Sequence, residues 1–243
     1  MLTNWSFWAV VMAAIAIMLS QLPPVRYWFK RPRLDIELYS RIFLTHKVGN
    51  PNIQAHVIVS NIGGRAIRVK SMSLNFTRNN NHAFTLPIQN YLQKPTDKET
   101  VLFTPFGLHP DEEWSHIANF LNFFDRDDEK RYRDMESALR QDIFEKRRLN
   151  PDELAEAEEK NVEPIRRFFN EKFSWHPGEY RMTVTVHGDK VTVEKSYRFT
   201  IFESESDELK SHVDEYKFGA RVYWEPPNGM PTGIFVQIHE ENT

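Results

Sequence analysis

The fold class is decided by residues 180–201, YRMTVTVHGDKVTVEKSYRFTI. Apolar side chains alternate with polar ones in the runs 180–186 and 191–201, which is the period of a strand that buries one face. Gly188 and Asp189 separate the two runs and suit a tight turn. Because strands of a parallel sheet are apolar on both faces, this alternation predicts an antiparallel hairpin.

The same alternation appears at both ends of the chain. Residues 34–38, 53–62 and 66–76 repeat it, and residues 234–238 fit a closing strand. The glycine pair at 63–64 stands between two of these runs and predicts a second hairpin turn. The β regions therefore lie on both sides of a segment with a different pattern.

A helical insertion is predicted between the β regions, over residues 110–173. Pro110 followed by three acidic residues indicates one helix start, and Asn150 followed by Pro151 indicates another. Two apolar stripes recur at helical spacing: Trp114, Ile117, Leu121 and Phe124, then Tyr132, Met135, Leu139 and Ile143. We therefore expect a helical hairpin packed on an edge or end of the sheet. A shorter acidic helix is expected over residues 203–215.

The insertion is acidic. Residues 111–172 carry 12 basic and 18 acidic side chains. Charges along a helix ordinarily form a solvated face, and a docking surface for a basic partner is the alternative that stays open. The candidates for such docking are Asp111, Glu112, Glu113 and Trp114.

The first segment of the chain is apolar from Trp5 to Leu22. A helix of this length reaches roughly 27 Å, which predicts a single transmembrane span. Aromatic residues flank it where membrane interfaces are expected, and small side chains recur along one stripe that suits contact with a second helix. The predicted anchor residues are Trp5, Trp8, Ala9, Ala13, Ala16, Ser20 and Trp28.

Basic residues follow this segment, and none precedes it. They are Arg26, Lys30, Arg31 and Arg33, and they are expected to contact lipid headgroups. Under the positive-inside rule this asymmetry places the N-terminus outside and the rest of the chain in the cytoplasm, at a bacterial inner membrane. A cleaved secretory signal is the competing interpretation, although a basic start and a small-residue cleavage site are both poorly matched.

Composition excludes several kinds of chemistry. The chain has no cysteine, so it forms no disulfide and offers no thiolate as a nucleophile or metal ligand. Its formal net charge of -3 does not indicate a nucleic-acid partner. His109 and His116 beside the acids at 111–113 form the one dense titratable group, for which we favour an ordinary surface role. We predict no catalytic residue, no metal and no cofactor.

Three short motifs resemble an immunoglobulin-like β-sandwich: Val57-x-Val59-Ser60-Asn61-x-Gly63, Leu108-His109-Pro110-Asp111-Glu112-Glu113-Trp114 and Pro177-Gly178-Glu179-Tyr180. Such modules occur in small membrane-anchored bacterial proteins. The resemblance covers only the β regions and implies a fold used mainly for binding. The predicted fold is mainly β with a helical insertion (α+β): an N-terminal transmembrane helix, then an immunoglobulin-like antiparallel β-sandwich interrupted by a helical hairpin.

We expect three parts: an anchor with its basic segment over 1–32, a sandwich domain over 33–202 with the insertion at 110–173, and an acidic helix with a hairpin or tail over 203–243. The predicted function is a membrane-tethered module, not an enzyme, that binds or senses a protein partner at the cytoplasmic face. Self-association through the N-terminal helix stays open beside ordinary membrane-helix composition. Two alternatives stay open: an oligomerising membrane effector, for example in phage defence, and an unrecognised hydrolase.

Overall fold

A computed structural model describes residues 5–21, 31–79, 81–150, 154–224 and 233–241. Twelve strands lie within these ranges: β1 (Leu34–Leu38), β2 (Arg41–Lys47), β3 (Asn50–Asn61), β4 (Ile67–Arg78), β5 (Asn81–Leu92), β6 (Val101–Leu102), β7 (Phe106–Leu108), β8 (Glu113–Leu121), β9 (Gly178–Gly188), β10 (Thr192–Ile201), β11 (Gly233–Gln237) and β12 (His239–Glu240). The α-helices in the same ranges are α1 (Trp5–Gln21), α2 (Arg126–Leu149), α3 (Glu159–Lys172) and α4 (Glu203–Lys210), and a 3₁₀ helix (Ser211–Phe218) follows α4.

All twelve strands belong to one sheet, whose main path runs β11-β2-β3-β8-β5-β4-β9-β10-β12. The path turns at β5, because residues 81–87 pair with β4 and residues 88–92 pair with β8. A bulge between Ile88 and Asn90 accompanies the change of partner, and bulges bend a strand and increase its twist. The sheet consequently curls until it is nearly closed, with β10 approaching β1 and β11.

The predicted immunoglobulin-like sandwich is therefore wrong. A sandwich consists of two separate sheets, whereas β5 pairs with both halves here and makes them one sheet. Alternation of apolar and polar residues shows which face of a strand is buried, and it does not show which strands are neighbours. The sequence pattern alone could not distinguish two packed sheets from one curled sheet.

The hairpin of β9 and β10 is confirmed, with His187 opposite Thr192 across its turn. The hairpin predicted at residues 63–64 is wrong, because β3 and β4 pair with different strands. Gly63 donates its backbone N–H to Arg33 O at 3.1 Å, and a Cβ on Gly63 would stand 2.5 Å from Arg33 N. Glycine is required for this close approach as the chain crosses from one half of the sheet to the other.

A hairpin that the sequence pattern did not predict joins β2 and β3. Lys47 lies opposite Asn50, and the two turn residues, Val48 and Gly49, have φ angles of 46° and 87°. Left-handed conformations suit a two-residue turn between twisted strands, but a β-branched residue rarely adopts one. Val48 is buried, so the surrounding packing holds this strained residue in place.

The helix predicted to begin at Pro110 is wrong. Residues 109–112 form a turn, and the segment that follows is β8, with Trp114 and Phe120 buried. A histidine and an alanine stand between these two residues on alternate positions. Such residues weaken the apolar period of two, while the larger apolar residues happen to recur at helical spacing.

The helical hairpin is confirmed in a shorter form, as α2 and α3. The side chain of Asp125 caps α2 by accepting the N–H groups of residues 127 and 128. Three members of the second predicted stripe, Tyr132, Leu139 and Ile143, are buried. α3 packs against α2, the 3₁₀ helix and β3, and its buried residues are Val162, Ile165, Phe168 and Phe169.

One predicted helix start differs from the structure. Asn150 ends α2 and does not start the next helix, which begins at Glu159. Residues 151–153, predicted for the first turn of that helix, lie outside the described residues. Pro164 lies within α3 without ending it. The acidic helix predicted over 203–215 is found as α4 and the 3₁₀ helix.

The predicted transmembrane span is contradicted. α1 has 17 residues, which corresponds to about 26 Å of helix. None of the helices in the described part of the chain is both long and apolar enough to cross a membrane. The prediction of a single-pass membrane protein is corrected accordingly.

Trp175 connects distant parts of the curled sheet. Its indole is fully buried and packs edge-on against Phe76 and Phe84, with ring centroids 5.9 and 5.2 Å away. The indole N–H donates to Thr45 O at 2.7 Å. Because Thr45 belongs to β2 and Phe76 to β4, one side chain ties together strands from the two halves.

Gly49→Ala is expected to lower the free energy of unfolding by about 2–4 kcal/mol, measured by urea denaturation. A Cβ at this position would stand 2.5 Å from Phe169 O and 2.9 Å from Phe173 N, and the φ of 87° disfavours a side chain. Gly107→Ala is the matched control, because its Cβ would meet nothing within 4 Å; its effect should stay within about 0.5 kcal/mol. Equal losses in both variants would contradict the packing of this turn against α3.

Candidate functional site

The predicted docking residues lie in the turn at 109–112 and in the first two residues of β8. Glu112 Oε2 accepts the backbone N–H of His109 at 2.6 Å. Trp114 is only 8% exposed and stacks on Phe106, with ring centroids 5.3 Å apart. The indole is therefore part of the core, and docking of a partner on the three acids stays a prediction.

The two histidines of the sequence-predicted titratable group have separate environments. His109 lies in the turn, whereas the ring of His116 in β8 contacts Trp114 and Tyr91 at centroid distances of 4.8 and 4.9 Å. Within the described residues, no group of three or more histidines and acids is placed to hold a metal ion. His109 is therefore a turn residue, and His116 is a packing residue of β8.

The predicted anchor residues from Trp5 to Ser20 lie in α1, where Trp5 is 90% exposed and Ser20 Oγ donates to Ile17 O at 2.8 Å. The backbone oxygens of Arg31 and Arg33 accept N–H groups from the glycines at 64 and 63. Three predicted residues, Arg26, Trp28 and Lys30, lie outside the described ranges. Lipid contact by the basic residues stays a prediction.

Among the described residues, the curled sheet does not close between β10 and β11. There β11 pairs only with β2, and β12 covers β10 only at Tyr197 and Arg198. A cavity of about 640 Å³ lies in this gap. We name it the open seam, and it is lined by Phe199, Thr200 and Phe202 on one side and Phe235, Val236 and Gln237 on the other.

Backbone groups of β11 face the open seam. Along one edge of an antiparallel strand, every second residue bonds to the neighbouring strand and the residues between turn their N–H and C=O to the opposite edge. Ile238 donates its N–H to Ser40 O at 2.9 Å, and the register of β11 on β2 continues from that bond. Val236 therefore bonds to β2, while Phe235 and Gln237 direct their backbone groups into the seam.

The facing strand contributes one further residue. Glu241 donates its N–H to Ser196 O at 2.9 Å, and the pairing of Arg198 with β12 continues the same register. The next residue with outward backbone groups is Thr200, beyond the end of β12. In the described part of the chain, no hydrogen bond joins β10 to β11 across the seam.

Exposed aromatic rings flank these backbone groups. Phe235 is 67% exposed and contacts Phe43 at a ring-centroid distance of 4.9 Å, while Phe202 across the seam is 60% exposed. Glu205 Oε2 accepts the N–H of Phe202 at 2.8 Å and thereby holds the start of α4 at the rim. Large apolar side chains beside an unpaired strand edge are typical of a binding surface.

A second cavity, of about 590 Å³, has His46 in its wall. His46 Nε2 lies 2.8 Å from Leu209 O, and Nδ1 accepts the N–H of Gly49 at 3.2 Å. Because a carbonyl oxygen only accepts, the ring proton is on Nε2 and the neutral ring satisfies both contacts. Burial lowers the pKa of His46; the bond to Leu209 O opposes this, and the nearby charges of His212 and Arg221 add to the lowering.

Sequence reasoning missed both cavities. One signal for the seam was present in the run Ile234-Phe235-Val236, where a phenylalanine occupies an outward position that alternation reserves for polar residues. Comparison with known proteins adds no assignment, since no family model and no curated protein matches this chain. Function must therefore be argued from the geometry.

Stability is expected to fall as the pH drops below about 6.5, the ordinary histidine pKa. The unfolded chain binds a proton at His46 more readily than the folded chain, so acidification favours unfolding. Above about pH 6.5 His46 is neutral in both states, and its contribution to stability no longer changes with pH. Urea denaturation at about pH 7.5 and about pH 5.5 should show a smaller loss in His46→Gln than in wild type.

Burial also lowers the pKa of His176 and His212, so some pH dependence should survive in His46→Gln. Comparing the two proteins isolates the contribution of His46. An identical loss of stability in variant and wild type would show that His46 is not held neutral.

Proposed function

We propose that this protein is a non-enzymatic interaction module whose open seam takes an extended segment of a partner protein as an added strand. One observation carries the proposal: the outward backbone groups of Phe235, Gln237 and Thr200 lie beside two exposed phenylalanines. In strand addition, main-chain hydrogen bonds supply affinity and pockets for alternate side chains supply specificity. Outward backbone groups of β11 support the first role, and the exposed rings of Phe202 and Phe235 support the second.

Within the described ranges, the edge of β11 carries none of the usual protection of an exposed strand. Natural sheets blunt their edges with lysine, proline or bulges, because an unpaired edge recruits other chains. The sequence of β11 is Gly-Ile-Phe-Val-Gln, and it pairs with β2 without a register shift. An apolar ring at the outward position Phe235 favours a role in recognition.

The lining also indicates what the bound segment looks like. An apolar side chain between Phe202 and Phe235 would remove surface from water at about 25 cal/mol per Å². Arg41 lies opposite Gln237 on β2 and is exposed, and it forms no salt bridge within the described residues. We therefore expect an extended segment that carries an apolar residue followed or preceded by an acidic one.

Selection of a displayed random-peptide library on the immobilised protein tests the proposal. Enriched peptides should share an apolar residue near an acidic one and should bind as synthetic peptides in fluorescence anisotropy. Gln237→Pro removes an N–H that faces the seam and none that bonds β2, so peptide affinity should fall about tenfold or more with little change in melting temperature.

Val236→Pro is the matched control on the same strand. It removes an N–H that bonds β2, and a lower melting temperature is expected from the broken ladder. Phe235→Ser tests the side-chain pocket and should also weaken binding. The proposal fails if no peptide is enriched, or if the enriched peptides bind wild type, Gln237→Pro and Phe235→Ser equally.

A further inference from the structure

A further cavity lies where the end of β4 faces the segment between α3 and β9. We name it the end cavity, and its walls include Arg78, Phe84, Phe173, His176 and Tyr180. Its volume of about 360 Å³ lies within the range of about 300–1,000 Å³ that is usual for small-molecule sites. It shares no lining residue with the open seam, so its occupant is independent of the proposed peptide.

Arg78 ends a row of β4 side chains that faces the inside of the curled sheet. Three buried residues precede it on alternate positions: Met72, Leu74 and Phe76. Alternate residues of a strand share one face, so half-buried Arg78 continues this row to the wall of the end cavity. A charged group in an apolar row needs a partner or access to water, and the cavity provides the access.

One contact holds the guanidinium of Arg78 at this wall. Arg78 lies opposite Tyr180 on β9. Burial raises the pKa of Tyr180, and a hydrogen bond from Arg78 to the hydroxyl opposes the rise. The hydroxyl itself donates to His176 O at 2.8 Å, so it can only accept from Arg78. Because a guanidinium carries five N–H groups, this contact leaves most of them over for a ligand.

The positive charge of Arg78 is not compensated by an acid of the described chain. Arg78 forms no salt bridge there, and none of the described residues that line the end cavity is acidic. The sequence at 79–83 contains no acid either. Glu179, the neighbour of Tyr180, lines the open seam on the other face of β9. This arrangement favours an anionic ligand from outside the chain.

Two further basic side chains lie close by, but neither adds a free charge at neutral pH. Partial burial lowers the pKa of His176, and the positive charges of Arg78 and Lys210 lower it further. The hydrogen bond to Phe173 O opposes this shift. Lys210 Nζ lies 3.3 Å from Asp207 Oδ1. One uncompensated charge is therefore left, which matches a carboxylate better than a doubly charged phosphate.

Aromatic rings form much of the remaining wall. Phe173 is 5% exposed, and its ring lies edge-on to His176 at a centroid distance of 5.4 Å. Phe84 contacts the buried indole of Trp175 at 5.2 Å, which fixes its position. Rings held in this way favour an apolar and preferably aromatic body, whose burial contributes about 25 cal/mol per Å². The walls therefore select for a ring that carries one negative charge.

We propose that the end cavity binds a small aryl carboxylate, with the carboxylate on the guanidinium of Arg78 and the ring against Phe84 and Phe173. Calorimetric titration of the full chain with phenylacetate, phenylacetamide, acetate and phenyl phosphate tests it. Phenylacetate should bind with a dissociation constant below about 1 mM. Phenylacetamide lacks the charge and acetate lacks the ring, so each should bind at least about tenfold more weakly. Phenyl phosphate should bind no tighter than phenylacetate.

Arg78→Met removes the charge and keeps an apolar stem, so the affinity for phenylacetate should fall about tenfold or more. Arg78→Lys keeps the charge but loses the planar fork that contacts both carboxylate oxygens, and an intermediate loss is expected. Arg68→Met is the matched control, because Arg68 is an exposed arginine of the same strand outside the cavity lining. This control and Phe235→Ser in the open seam should leave the affinity unchanged.

The proposal is overturned if phenylacetate does not bind at about 1 mM, or if phenylacetamide binds equally well. The comparison of these two ligands needs no variant, so it decides the question even if Arg78→Met does not fold. Tighter binding of phenyl phosphate would assign a phosphate site instead. Unchanged affinity in folded Arg78→Met would place the bound carboxylate elsewhere.

Discussion

The double pairing of β5 is the constraint on which this architecture depends. One strand hydrogen-bonds to β4 along its first half and to β8 along its second half, so the two halves of the sheet cannot separate and pack as independent layers. The bulge at the switch bends the strand and sets the direction in which the sheet curls. A sheet joined at one side in this way has its remaining gap on the other side, between β10 and β11.

The same constraint explains where packing is tightest. Trp175 and its hydrogen bond to Thr45 tie β2 to the opposite half, while the turn at Gly49 lies in van der Waals contact with the end of α3. His46 links that turn to Leu209 at the end of α4. These contacts hold the β2–β3 hairpin between the helices and shape the second cavity, whereas the open seam has no comparable cover among the described residues.

Strand positions could be predicted because burial alternates locally, as in β9 and β10. Partners could not be predicted, because alternation carries no information about neighbours. β5 itself escaped prediction, and Pro87 explains why: proline argues against a central strand, yet here it pairs opposite Ser73 just before the bulge. The strained turn at Val48 and the outward Phe235 likewise contradict local preference, and such conflicts are expected near functional surfaces. The prediction that the apolar N-terminal segment is helical is confirmed by α1, whereas the prediction that it spans a membrane is wrong.

The central claim is that the edge of β11 that faces the open seam pairs with no other strand of the described chain. Amide hydrogen exchange resolved by residue in the free protein tests it most directly. The account predicts alternation along β11, with slow exchange at Ile234 and Val236, which bond to β2, and fast exchange at Phe235 and Gln237. Uniform protection of all four amides would show that the edge is already paired and would contradict the account.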